Sequence, residues 1–255
     1  MGYVDVPGMD NLIDKTFCNY VNVSDHSSPL ICTSPQQSLE CKRDPDHLYM
    51  KVTNELYGTS TPSAAELLSD APMNGFVQQA ANGAFKNDNL DDLSAIMYGF
   101  PAIKVPIHQK LASEYTVFDR WFASLPGPTQ PNRLFVHAGT SAGRISNSVF
   151  DIVFGINVRT IFDDLLQSGL TWKSYYHDLP SLAVLGKIRK QMLTRTKSFD
   201  SFYSDAKVGN LANYTFLEPY DRFLQLETMG SFPGLKAIQM MVIPILGKVL
   251  IRLKL

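Results

Sequence analysis

The sequence of 255 residues lacks any uninterrupted apolar run of about 20 residues, so no membrane span is read from it. Cysteine is scarce. Cys18, Cys32 and Cys41 form no CxxC pair and no His cluster follows them, which argues against a zinc site. No sign of charge dominates: 23 basic and 24 acidic residues leave a formal net charge of −1. That balance removes the broad basic footprint of a nucleic-acid binder, and no nucleic-acid partner is expected. Collagen, coiled-coil and low-complexity architectures are excluded by composition. The start, Met1-Gly2-Tyr3-Val4-Asp5, has no basic segment followed by an apolar one and does not read as a signal peptide.

What is present is a core-forming composition. Apolar residues make up 45% and charged residues 18%, which suits one large α/β domain or two small ones. A Cys18–Cys32 bridge with Cys41 left over and three reduced thiols remain alternatives. The sequons Asn22-Val23-Ser24 and Asn213-Tyr214-Thr215 point weakly toward export.

Three segments are expected. Residues 1–60, rich in Pro, Ser, Asn and Asp, read as a long irregular stretch. Residues 61–220 carry alternating helix and strand signals. Residues 221–255 turn into a divergent apolar tail. Within the middle segment, Ser63 with Glu66 predicts a capping box, and Asn89 caps a helix closed by Gly99. Pro106 starts a helix in which Ile107, Leu111 and Tyr115, four apart, pack into the core. Thr116 to Phe122 reads as a strand, and Asn132 to Ala138 as a helix with Pro131 in its first position. Thr160 caps another helix ended by Gly169. Thr171–Tyr176 and Tyr214–Leu217 read as strands, while Leu182–Leu193 and Phe199–Lys207 read as helices. Strands alternating with helices predict a parallel α/β sheet. The tail, Lys236 to Leu255, reads as a buried strand or helix, as a surface-lying amphipathic segment or as non-native sequence.

Two constellations could carry chemistry. Gly139-Thr140-Ser141-Ala142-Gly143 fits the G-x-S-x-G elbow, which needs a strand before the serine and a helix after it. Here the preceding residues look helical. The later His177, with Asp163 and Asp164, would have to complete a triad. The second constellation is Gly127-Pro128-Thr129-Gln130-Pro131-Asn132-Arg133. Thr129 falls at a helix N-terminus, where unpaired amides and the helix dipole favour anions. A hydroxyl there can attack phosphorus, and a divalent metal would lower its pKa. It can equally serve as a helix cap.

The run from Phe118 to Arg133 resembles the signature of the phosphoesterase family, which contains the non-specific phospholipases C and related acid phosphatases. The similarity extends to Asp44-Pro45-Asp46-His47, Met73-Asn74-Gly75-Phe76-Val77, Thr160-Ile161-Phe162-Asp163, Trp172-Lys173-Ser174-Tyr175-Tyr176 and Glu218-Pro219. The resemblance implies an incomplete alkaline-phosphatase-like parallel sheet flanked by helices. It implies that Thr129 is the nucleophile and a metal ligand, that Asn132 helps hold the phosphoryl group, and that His47 is an active-site histidine. Arg133 either binds the anion or pairs with a carboxylate. The implied partner is a phospholipid or phosphate-ester substrate, with peripheral membrane contact, and the implied location is secreted or membrane-associated. A divalent metal is also implied. However, the family's initial Glu-Asn segment, its Asp-Glu metal pair and its late histidines have no counterparts here. Thr129 would then keep an ordinary alcohol's pKa, and the chain is expected to be weakly active or inactive. A half-built sheet would also leave strand edges and apolar surface exposed.

Overall fold

A computed structural model of the chain describes residues 3, 5–36, 43–177 and 180–218, together with the backbone of 239–245 and 248–254. It divides into two compact units, Met1–Thr129 and Gln130–Leu255. Cys41 and residues 219–238 of the apolar tail lie outside the described residues. No helix among the described residues is long and apolar enough to cross a membrane.

The first unit begins with more order than its composition suggests. Strand β1 (Cys18–Tyr20) pairs antiparallel with β2 (Leu30–Cys32), and a Cys18–Cys32 disulfide closes the hairpin at its open end. Of the alternatives left open by the sequence, the bridged one is formed. Helices α1 (Tyr49–Tyr57), α2 (Ala64–Leu67), α3 (Phe76–Asn82), α4 (Leu90–Ser94) and α5 (Pro106–Glu114) follow. Asn19 on β1 ties the hairpin to α3. Its carboxamide accepts from the Phe76 amide at 3.1 Å and donates to the Met73 carbonyl at 3.1 Å. Gly75 lets α3 approach α1 closely, since a Cβ there would stand 1.9 Å from the Asn54 carbonyl oxygen. Ile31, Val77, Ala80, Phe85 and Leu93 form the core between these elements.

Local caps sit where the sequence places them. Ser63 and Glu66 form a reciprocal capping box on α2, and the Asn89 side chain accepts from the Asp92 amide on α4. Two expectations fail. Thr116–Phe122 is not a strand. No ladder partner lies beside it among the described residues, and Phe118, Trp121 and Phe122 are exposed. Propensity alone does not make a strand without a partner. On α5, Ile107 and Tyr115 face outward and Ala112 is the buried residue. The helix is rotated so that its smallest apolar side chain takes the inner face.

The second unit is built on a sheet of order β4-β3-β5-β6-β7. After α6 (Thr129–Ala138), α7 (Val149–Phe154) and α8 (Ile161–Gln167) comes β3 (Trp172–Tyr176). Then follow α9 (Arg189–Arg195), β4 (Thr196–Ser198), α10 (Phe199–Lys207) and β5 (Tyr214–Glu218). β4, β3 and β5 are parallel, the α/β arrangement that alternating elements predict. β6 (Gln239–Ile245) and β7 (Lys248–Lys254) extend the sheet antiparallel, so strands form in the tail. Trp172 and Phe162, both fully buried with ring centroids 4.7 Å apart, anchor the main core with Leu134, Leu182, Leu185 and Phe216. Burying each such aromatic contributes about 2–3 kcal/mol.

Thr160 caps α8, as the sequence predicts, and Asp163 completes a reciprocal box with it. The expected helix over Leu182–Leu193 is instead broken into 3₁₀ turns at Ser181–Val184 and Gly186–Ile188, followed by α9. The break has a cause. The Ile156 amide donates to the Val184 carbonyl at 2.7 Å and the Gly186 amide donates to the Ile156 carbonyl at 3.0 Å. Those groups are therefore unavailable to a continuous helix.

The two sequons differ in setting. Asn22 and Ser24 are exposed, whereas Thr215 is fully buried in β5 and the Asn213 carboxamide oxygen accepts from the Thr171 amide and hydroxyl.

Candidate functional site

The Thr129 region begins with the turn-rich stretch Ser124–Pro128, whose last proline is buried. α6 starts at Thr129, two residues before the Pro131 that the sequence suggests as its first position. Thr129 is thus the first helical residue and not the residue before the helix. Pro131 is the third helical residue, still inside the turn whose N–H groups have no helical partner, so its missing donor costs nothing. The side chain of Thr129 is exposed and that of Asn132, one turn on, is buried. Among the described residues no hydrogen bond engages the Thr129 hydroxyl.

A loop further along the chain fixes the first turn. The Gln130 amide donates to Asn147 Oδ1 at 2.9 Å, and the Ser148 amide donates to Gln130 Oε1 at 2.9 Å. This reciprocal pair holds the backbone beside Thr129. It also uses one of the amides that an anion would otherwise recruit. With Gln130 committed and Pro131 lacking an N–H, the capacity of this terminus for an anion is smaller than the sequence alone suggests.

His47 lies in the first unit, in the loop before α1. Its Nδ1 stands 3.8 Å from Asp44 Oδ2, and both side chains are partly exposed. The Leu48 amide donates to Asp46 Oδ1 at 3.1 Å, which sets the turn that carries the histidine. The Asp-Pro-Asp-His run is therefore locally ordered by its own carboxylates.

The described residues do not make a metal site. Among the described residues there is no group of three or more His, Cys, Asp or Glu side chains able to hold an ion. A single neutral alcohol at Thr129 is a poor ligand without carboxylates around it. The expected divalent metal therefore does not fit the described donor set.

The serine elbow is not formed. Helix α6 precedes Ser141, and no helix follows it until α7. Ser141 itself is buried. Gly139 at φ 68°, Ala142 at φ 51° and Gly143 at φ 76° make a tight turn that directs the chain from α6 toward α7.

A buried polar cluster was not visible in the sequence. Asp205 on α10 accepts from the Tyr175 hydroxyl at 2.7 Å and from Lys197 Nζ at 2.7 Å, and Lys173 Nζ is 3.5 Å away. The Lys197 bond, then the Tyr175 bond, hold its carboxyl far below the ordinary carboxylate range. Burial, then the bond to Asp205, pushes the Tyr175 phenol well above its ordinary value. At the end of β5, the buried Glu218 carboxylate accepts from the Ser181 amide at 3.0 Å and from the Ser181 hydroxyl. Both clusters brace elements around the sheet, and among the described residues neither shows a second carboxylate that would suggest a metal.

The chain matches the phosphoesterase family over residues 12–225. It is 37% identical over 217 residues to non-specific phospholipase C1 of Arabidopsis thaliana, covering 83% of this chain and 38% of that protein. It is 36% identical over 220 residues to non-specific phospholipase C3 of the same plant, covering 84% of this chain and 40% of that protein. Non-specific phospholipase C5 is 34% identical over 194 residues, 74% of this chain and 36% of its own length. The chain thus spans about two-fifths of the length of the curated relatives it matches.

Proposed function

This chain belongs to the phosphoesterase family, and we propose that it hydrolyses phosphate esters in the manner of a phospholipase C, slowly, with Thr129 as nucleophile. The observation that carries the reading is an exposed threonine at the first residue of α6, beside backbone that the Gln130–Asn147 pair holds. In the proposed step Thr129 Oγ gives up its proton and forms a bond to phosphorus. The bond from phosphorus to the ester oxygen breaks, and the leaving alcohol takes a proton. Water then attacks the phosphothreonine and releases the phosphomonoester. Asn132, one turn along the same helix, is assigned to the phosphoryl oxygens. His47 is assigned to proton transfer. The substrate class is a phospholipid or a related phosphate ester, in line with the names of the relatives.

Slowness follows from the donor set. Among the described residues no group of acidic or imidazole ligands stands ready to hold a metal cation, so the alcohol's pKa would not be lowered by one. The test is hydrolysis of p-nitrophenylphosphorylcholine by the purified chain, with mass spectrometry of the quenched protein. The expected result is weak turnover, a phosphorylcholine group on Thr129, and loss of both in Thr129→Ala with partial retention in Thr129→Ser. Turnover equal in Thr129→Ala and the parent would end this reading.

A further inference from the structure

Helix α7 presents an exposed apolar face among the described residues. Val149, Phe150, Val153 and Phe154 are 65%, 74%, 58% and 70% exposed. They occupy one side of the helix, and the Phe150 and Phe154 rings stack at 5.7 Å. Ile145, just before the helix, is 53% exposed. An outward group of this kind on a short helix normally marks a contact surface.

The charges around it select the contact. The one acid on α7, Asp151, turns away from this face onto Arg144, at 3.3 Å, and is largely buried. The chain segment packed against the C-terminal end of α7 is basic. Gly186 meets Gly155 so closely that a Cβ on Gly155 would stand 2.5 Å from the Gly186 Cα. Arg189 donates to the Val153 carbonyl at 2.8 Å and to the Ile152 carbonyl, placing its cation at the negative end of the helix. Residues 180–195 contain Lys187, Arg189, Lys190 and Arg195 and no Asp or Glu, and both lysines are exposed. Apolar side chains flanked by cations complement the interface of an anionic bilayer. A second copy of the chain would instead bring two like-charged rims together, which is unfavourable.

We propose that α7 is a bilayer-docking element: its Val149, Phe150, Val153 and Phe154 face enters the headgroup region while Lys187 and Lys190 lie against anionic lipid. The inference rests on the hydrolytic reading only for choosing a phospholipid surface over other apolar partners.

The experiment is flotation of the full chain with phosphatidylcholine vesicles, with and without phosphatidylserine. Binding is expected, stronger with phosphatidylserine and weakened by salt. F150S/F154S should lower partitioning about tenfold or more on both vesicle types. K187Q/K190Q should lower it roughly 25-fold on the anionic vesicles alone, at about fivefold per lysine. All four residues are exposed, and an unchanged thermal melt would confirm that the variants fold. The proposal is overturned if the parent does not float, or if F150S/F154S floats as the parent does. It is equally overturned if sedimentation shows a parent oligomer that F150S/F154S dissolves without any vesicle binding. Hydrolysis of a soluble ester is scored separately. Its retention alongside lost flotation removes the docking claim alone, and the converse removes the hydrolytic reading alone.

Discussion

The Tyr175 hydroxyl donates a 2.7 Å hydrogen bond to the Asp205 carboxylate and thereby fastens α10 to the central parallel strand β3. Lys197 on β4 completes the junction from the neighbouring strand. The carboxyl is held below its ordinary value of 3.8 in the folded chain. Its stabilising contribution is therefore full above the unfolded-state pKa and is lost as pH falls through the depressed folded value. Asp205→Asn should lower the thermal midpoint by roughly 5 °C at neutral pH and flatten the acid limb of the stability profile. Tyr175→Phe should lower it less and remove the alkaline loss that begins above the ordinary tyrosine pKa. Melts followed by circular dichroism across pH check both.

The Gln130–Asn147 pair holds the backbone next to Thr129 without touching its hydroxyl. Asn147→Ala should therefore reduce kcat on a soluble ester about tenfold with little change in KM, because misplacement of a reacting group acts on the chemical step. Steady-state kinetics separate this from a binding defect. An increased KM with unchanged kcat would speak against a positioning role.

Gly75 stands where α1 and α3 nearly touch. Gly75→Ala should cost about 2–3 kcal/mol, the usual range for forcing a group into filled space. Urea titration of the variant gives the value. A midpoint within error of the parent would show that the two helices can part without penalty.

The Cys18–Cys32 bond closes a short loop in the first unit. Opening it with dithiothreitol, or replacing both cysteines by serine, should destabilise that unit by about 2–4 kcal/mol. Hydrogen exchange should locate the lost protection in β1, β2 and the start of α3, because Asn19 joins the hairpin to that helix. Protection unchanged across these elements would contradict it.

The features legible in the sequence were those made by neighbours in the chain. The Ser63–Glu66 box and the Asn89 and Thr160 caps need only residues three apart. β3 and β5 carry aromatic and β-branched residues and are found in place. The features that escaped depend on distant partners. Thr116–Phe122 has strand composition and no strand beside it, and the α5 helix could have turned either of two faces inward. Asp205 looks like any surface aspartate until β3, β4 and α10 converge on it. For the candidate site, the loop and the helix after it were readable, but the true start of α6 and its tie to Asn147 were not. The tie joins residues 17 apart by a side chain that no spacing rule marks.

The setting of the second sequon has a temporal consequence. Thr215 has no exposure once β5 is paired, so an oligosaccharyltransferase could use Asn213 only while that strand is still unpaired. Asn22 stays within reach after folding. In a secretory lumen, a glycan on Asn213 would record a slow closure of the sheet, whereas a glycan on Asn22 would record nothing more than arrival.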